Sequence, residues 1–283
     1  MRSLLHCLPG GPHRRVPRLL RAAMSVLPIL LALLLISPPG PAAALTFSEG
    51  HFECPIGGEK FSQRMASSGT QFGAMLDLKP IGPIAAPWTL AECPGNGFIL
   101  FKGEFSAAEL ERLAPYVASP AYQALRAETT WYRAAQLRRV IDAPGIEVAY
   151  TLLNASWQAS SEQYPRYARE ALTEFEAAMR APDAPHEGAA WATSEMLAGE
   201  LERRLGNFDA AGRRFARLAT RAELAAPQLA AIVRFQQCLI ATRDGSPQLV
   251  PPPEKGASAE PPWTEDDLRS IGVKLNGKCG LKG

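Results

Sequence analysis

Histidine is scarce in this sequence of 283 residues, which has only four. Two of them, His6 and His13, belong to the N-terminal stretch, so His51 and His186 serve everything after it. A hydrolase of the Ser-His-Asp type needs an imidazole beside its nucleophile, and no G-x-S-x-G elbow accompanies either histidine. The P-loop, the dinucleotide-binding glycine pattern and H-E-x-x-H are missing as well. So is C-x-x-C, although there are five cysteines, which removes the usual pair of a thiol redox enzyme. Neighbouring carboxylates do occur, Glu170 with Glu174, Glu195 with Glu200, and Glu265 to Asp267. On helices and tails of this composition they read as solvated faces rather than acid–base pairs. The expectation is a protein that is not an enzyme.

What is present begins with a leader. Arg14, Arg15, Arg18 and Arg21 precede the apolar run Val26–Ile36, followed by Ser37-Pro38-Pro39-Gly40-Pro41 and then by Ala42-Ala43-Ala44. That order is a secretory signal peptide over residues 1–44. Its apolar run of eleven residues falls short of the roughly 20 that span a bilayer, so no stable membrane span is expected after cleavage. Cleavage after Ala44 takes away five arginines and no acid, leaving 25 basic and 28 acidic residues. The remaining chain is mildly acidic, and a nucleic-acid partner loses its electrostatic support. Four cysteines stay behind: Cys54, Cys93, Cys238 and Cys279. An even number in an exported chain, periplasmic or secreted, points to disulfides; four cysteines permit three pairings.

Two of them sit in a broken frame. "HFECPIGGEKF" from His51 and "ECPGNGFILF" from Glu92 both open Cys-Pro and carry glycine at the fifth position of the frame, yet neither has a second cysteine. A structural zinc site needs four nitrogen or sulfur ligands. Here His51, Cys54 and Cys93 supply three at most, which makes zinc the alternative and no cofactor the expectation. If the two half-knuckles face each other, a Cys54–Cys93 bridge replaces the metal as staple. It closes a loop of about 40 residues and contributes roughly 3–4 kcal/mol in the chain-entropy model. Between the half-knuckles Gly69, Gly73, Pro80, Gly82, Pro83 and Pro87 read as loops and short strands, with Phe98–Phe101 the best strand and Phe61 placed against it.

From Ser106 the periodicity becomes helical. "SAAELERL" is a capping box of Ser106 and Glu109, and helices are expected over 106–117, 120–140, 145–160, 163–180, 187–205, 207–222 and 227–243. Short turns between them imply antiparallel hairpins. In "AGELERRLGNFDAAGRRFARLA", Gly199, Gly206, Phe208, Ala211 and Phe215 fall at tetratricopeptide spacing, small residues for close crossing and aromatics for the gap. A weaker copy uses Ala171, Phe175 and Ala178; an ordinary helical bundle is the competing reading. The Pro-rich stretch 245–262 reads as a linker, and 263–283 as a tail with one short helix and a cysteine that a bridge to Cys238 would tie back.

Together, "CPIGGEKF", "CPGNGF", "FSAAELERL", "AYTLLNASWQ" and "GELERRLGNFDAA" resemble an uncharacterised bacterial family in which two C-P-x-C-G zinc knuckles precede tetratricopeptide-like helices. Where that pattern has the second cysteines, this sequence has Gly57 and Asn96, so zinc is not carried over. The expected fold class is mainly α: a small N-terminal β and loop knuckle domain, degenerate and zinc-ribbon-like, over 45–104, then a helical tetratricopeptide-like domain over 105–244. Stacked hairpins present a concave surface to a protein or peptide partner. Trp131, Tyr132, Tyr150, Trp157, Tyr164, Tyr167 and Trp191 are the aromatic candidates to line it, with Arg133, Arg138 and Arg139 for an acidic partner.

Overall fold

The computed structural model describes residues 45–221, 227–251 and 278–279. The leader, most of the Pro-rich stretch and the tail helix lie outside these. Among the described residues the chain is mainly helical, with small antiparallel strand pairs at its N-terminal end.

The first pair is longer than the sequence suggested. β1 (Thr46–Glu53) and β2 (Lys60–Ser68) form a hairpin with Phe52 opposite Phe61, whose rings stack at 5.4 Å. Its turn is the first half-knuckle. The Cys54 N–H donates to the Glu59 carbonyl and the Gly58 N–H to the Cys54 carbonyl; in the second half-knuckle Cys93, Phe98 and Gly97 repeat both bonds. Gly58 and Gly97 hold φ of 68° and 74°, the left-handed region that glycine enters without cost. The two Cys-Pro turns thus share one backbone geometry. β3 (Gly73–Ala74) pairs with β4 (Pro80–Ile81), and β5 (Ala91–Glu92) with β6 (Ile99–Leu100).

Eight helices follow among the described residues. α1 (Ala107–Ala118) starts at the expected box: the Ser106 hydroxyl accepts from the Glu109 N–H, and the Glu109 carboxylate accepts from the Ser106 N–H. The continuous helix expected over 120–140 is interrupted. α2 (Pro120–Ala124) runs into a 3-10 turn, Glu128 and Thr129 are extended, and the Thr129 hydroxyl caps α3 (Thr130–Val140) by accepting from Tyr132. α4 (Gly145–Gln158), α5 (Tyr164–Arg180), α6 (Gly188–Arg204), α7 (Phe208–Leu218) and α8 (Pro227–Ala241) complete the set.

Cross-contacts fix their directions. Gly145 of α4 lies beside Ala178 of α5, and Tyr150 meets Phe175 edge-on, so the two run antiparallel. In the same sense Gly199 of α6 rests on the Phe215 ring of α7, and Gly212 of α7 on Ile240 of α8. α6 ends in a Schellman motif at Gly206 (φ 80°), whose N–H reaches Arg203 while that of Asn207 reaches Glu202, satisfying carbonyls the helix leaves open. Tyr167, Ala171, Phe175, Leu197 and Leu201 fill the central core. Cys54, Cys93, Phe98 and Ile99 share another with Leu113, Tyr122 and Leu137, so the knuckles and the first helices bury one another.

The supposed linker begins as structure. Val250 donates to the Ala74 carbonyl and Leu76 to that of Gln248, with Leu249 buried opposite Met75. Residues 248–250 therefore bridge to the chain at the end of β3. An apolar Leu-Val pair ahead of the prolines supplies what the Pro-rich composition hid. The rest of the linker and the tail helix expected after it fall outside the described residues.

Candidate functional site

Cys54 bonds Cys93 and Cys238 bonds Cys279, with Cα–Cα separations of 5.7 Å and 5.6 Å. Cys54 and Cys93 are buried. Asn96 adds a second tie: its amide donates to the Ile56 carbonyl at 2.8 Å and its oxygen accepts from the Phe98 N–H. From the other side the Glu59 carboxylate accepts from Gly95. The knuckles are thus held face to face by covalent and hydrogen bonds. His51 takes no part, since it lies exposed on β1 with Nδ1 against the Ser62 hydroxyl at 2.7 Å. Among the described residues no cluster of three His, Cys, Asp or Glu side chains could hold a metal. The alternative zinc set of His51, Cys54 and Cys93 is not assembled.

The aromatic candidates do not converge on one groove. The Tyr132 and Tyr167 rings stack at 4.3 Å, the Tyr167 hydroxyl donates to Glu128, and burial pushes both phenols up to about 12. Tyr150 packs on Phe175. The Trp131 indole donates to the Trp88 carbonyl. Trp191 carries the Arg221 guanidinium on its face and lines an apolar hollow with Ile146 and Met179.

The arginines read as partner contacts are engaged inside the chain. Arg133 is buried and holds Glu92 by two bonds of 2.8 and 2.6 Å. Arg138 pairs with Glu147 and lies over Phe101, while Arg139 binds both Glu170 and Glu174. The carboxylates expected on solvated faces are the other half of this correction. Glu200 is 1% exposed and grips the fully buried Arg203, which also donates to the Asp244 and Ser246 carbonyls. Glu195 and Glu202 close on Arg214, with Glu176 beside them. Burial works against the charge of Arg214, and Glu202 and Glu195 overcome it, holding its pKa above the ordinary arginine value. A buried charge is tolerated only with such partners, and the helical period by itself does not show that a glutamate will meet one.

One pocket gathers unspent chemistry. The antiparallel hairpins bring the C-terminal turn of α4, the first residue of α5 and the last residue of α6 to one end of the helical array. There Trp157, Tyr164 and Arg204 meet the turn between β3 and β4, enclosing about 290 Å³ together with Asp77 and Lys79. That turn is tight: Met75 donates to the Lys79 carbonyl, Leu78 has φ 66°, and the Asp77 carboxylate accepts from the Lys79 N–H. The Lys79 ammonium reaches the Trp157 carbonyl at 3.2 Å. The Arg204 guanidinium stacks on Tyr164 at 4.5 Å and lies 3.6 Å from Asp77. Burial lifts the Asp77 carboxyl above the usual range, although Arg204 pulls the other way. Burial likewise raises the Tyr164 phenol.

The Trp157 indole N–H and the Tyr164 hydroxyl are buried with no hydrogen-bond partner among the described residues. Sequence reasoning named Trp157 and Tyr164 but missed Asp77, Lys79 and Arg204. The signal was an Asp and a Lys interrupting the apolar, Pro-rich run "MLDLKPIGPI".

No helix among the described residues is long and apolar enough to cross a membrane. No curated protein and no solved structure matches the chain. Residues 109–240 match the model of a family described as an uncharacterized protein conserved in bacteria (DUF2225).

Proposed function

We propose that this chain is an exported binding module without catalytic activity, in which disulfide-stapled, tetratricopeptide-like hairpins hold a protein or peptide partner. The observation that carries this reading is the pocket at the end of the hairpins. It is concave and partly apolar, and two residues of its lining, Trp157 and Tyr164, carry buried polar atoms that the fold leaves without partners among the described residues, the pattern expected of a ligand site. The Gly199–Phe215 crossing supports the repeat-like reading, and stacked repeats present surfaces of this kind to peptides. The disulfides and the leader agree on an oxidising compartment outside the cytoplasm. The exported protein is expected to begin at Leu45, which intact mass checks.

The reading is tested with a photo-crosslinking amino acid placed at Ile84, on the pocket wall, in the full chain exported by a bacterial host. A discrete adduct at Ile84, weakened by Trp157→Ala and missing when the probe stands at Phe47, is the expected result. Equal labelling from both positions, or no adduct at either, overturns it.

A further inference from the structure

We infer that the pocket of Trp157, Tyr164 and Arg204 takes a carboxylate carried on a small apolar stem, the chemistry of a peptide C-terminus or of a free small acid. This rests on the binding-module reading and names the group recognised. The indole N–H and the guanidinium only donate; the indole N–H is buried without an acceptor among the described residues, and the guanidinium has Asp77 as its ion-pair partner. The 3.6 Å to Asp77 exceeds a hydrogen bond. The Tyr164 hydroxyl is a second buried polar group without a partner among the described residues. Two unpartnered groups and a guanidinium lining one pocket ask for an acceptor-rich ligand.

Charge gives the sign. Arg204 and Lys79 stand against Asp77 alone in the pocket lining, a surplus of one positive charge that a monoanion cancels. The Asp77 oxygens face the Lys79 N–H at 3.1 Å and Arg204 at 3.6 Å, so a bound carboxylate shares the guanidinium with the aspartate that fixes the turn. Pro80, Ile81 and Ile84 provide the apolar wall. At about 290 Å³ the space suits one side chain with its carboxylate rather than a large cofactor.

Leaving buried donors without acceptors costs free energy in the empty state, and a carboxylate recovers it through charge-assisted bonds. The test is titration of the full exported chain, disulfides intact, with four probes: N-acetyl-leucine, its amide, acetyl-Ala-Ala-Leu with a free C-terminus, and the same peptide amidated. The indole N–H resonance of Trp157 is the readout, identified among the five tryptophans by its loss in Trp157→Phe.

Both acids are expected to shift it saturably and both amides to leave it still. Tyr164→Phe removes a hydroxyl that bonds nothing in the protein, so it should weaken the acids roughly 10-fold with no loss of thermal stability. That pairing separates a ligand contact from a structural one, and it stands even if Trp157→Phe fails to fold. Binding of the small acid but not the peptide keeps the carboxylate inference and sinks the peptide reading. Equal binding of acid and amide peptides does the reverse. No saturable shift with any probe overturns the inference and assigns the donors to water.

Discussion

At the scale of the residue, Gly199 is a close packing constraint between two helices. A Cβ there would stand 2.6 Å from the Phe215 ring, whose side chain is fully buried. Overpacking of this kind costs about 1–3 kcal/mol, against roughly 1 kcal/mol regained by replacing a helical glycine. Gly199→Ala is therefore expected to lower stability by up to about 2 kcal/mol in urea denaturation, and Phe215→Leu in the same chain to restore part of it. A stabilised Gly199→Ala would mean that α6 and α7 do not cross closely. This pair was legible in the sequence because a small residue and an aromatic at repeat spacing report a crossing directly. The buried Glu195–Arg214 pair was not, because a charged side chain on a helix looks the same whether its partner is water or an arginine one helix away; for Glu200 and Arg203, three residues apart on α6, it was the burial that the sequence hid.

At the scale of the element, the start of α1 shows how local chemistry sets a boundary. Replacing Ser106 by Ala removes the acceptor for the Glu109 N–H and should cost about 1 kcal/mol, read from the chemical-denaturation midpoint at neutral pH. The same box gives the molecule an acid limb. The Lys102 ammonium, together with the Ser106 N–H, holds Glu109 down from 4.5 to about 2. The folded state thus releases its proton more readily than the unfolded one. Its stabilisation is fully present above pH 4.5 and is lost as pH falls toward 2. Glu109→Gln is expected to flatten that part of the profile between those values, seen by comparing denaturation midpoints across it. Helix starts and turns of this kind were readable because the relevant residues are neighbours in sequence. The break before α3 was missed, since Thr129 caps a helix without any proline or glycine to mark it. The bridge made by Leu249 and Val250 was missed for a related reason: its partner, the end of β3, lies far back in the chain.

At the scale of the molecule, two disulfides with sequence separations of 39 and 41 tie down opposite ends of the fold. In the chain-entropy model each contributes about 4 kcal/mol. The two differ in access: Cys54 and Cys93 are buried in the core shared by knuckles and helices, whereas Cys238 and Cys279 are half-buried. Mild reductant under native conditions should open Cys238–Cys279 first, so that alkylation followed by mass spectrometry shows two labels before four. Simultaneous appearance of four would mean that the knuckle core opens as readily as the tail. The covalent framework and the mainly helical class were legible from cysteine parity and periodicity. The pocket was legible only in part, because a cavity belongs to no single segment.

That dispersal has a consequence in time. The pocket draws on the β3–β4 turn, on the ends of three helices and on Pro247, and Gln248 and Val250 bond to the chain at the end of β3. A chain emerging from a ribosome or a membrane pore N-terminus first presents the Asp77 turn early, but its last wall only after about nine-tenths of the polypeptide has passed. The order of residues along the chain thus makes the pocket a late product, closed only once Pro247 and Gln248 have followed.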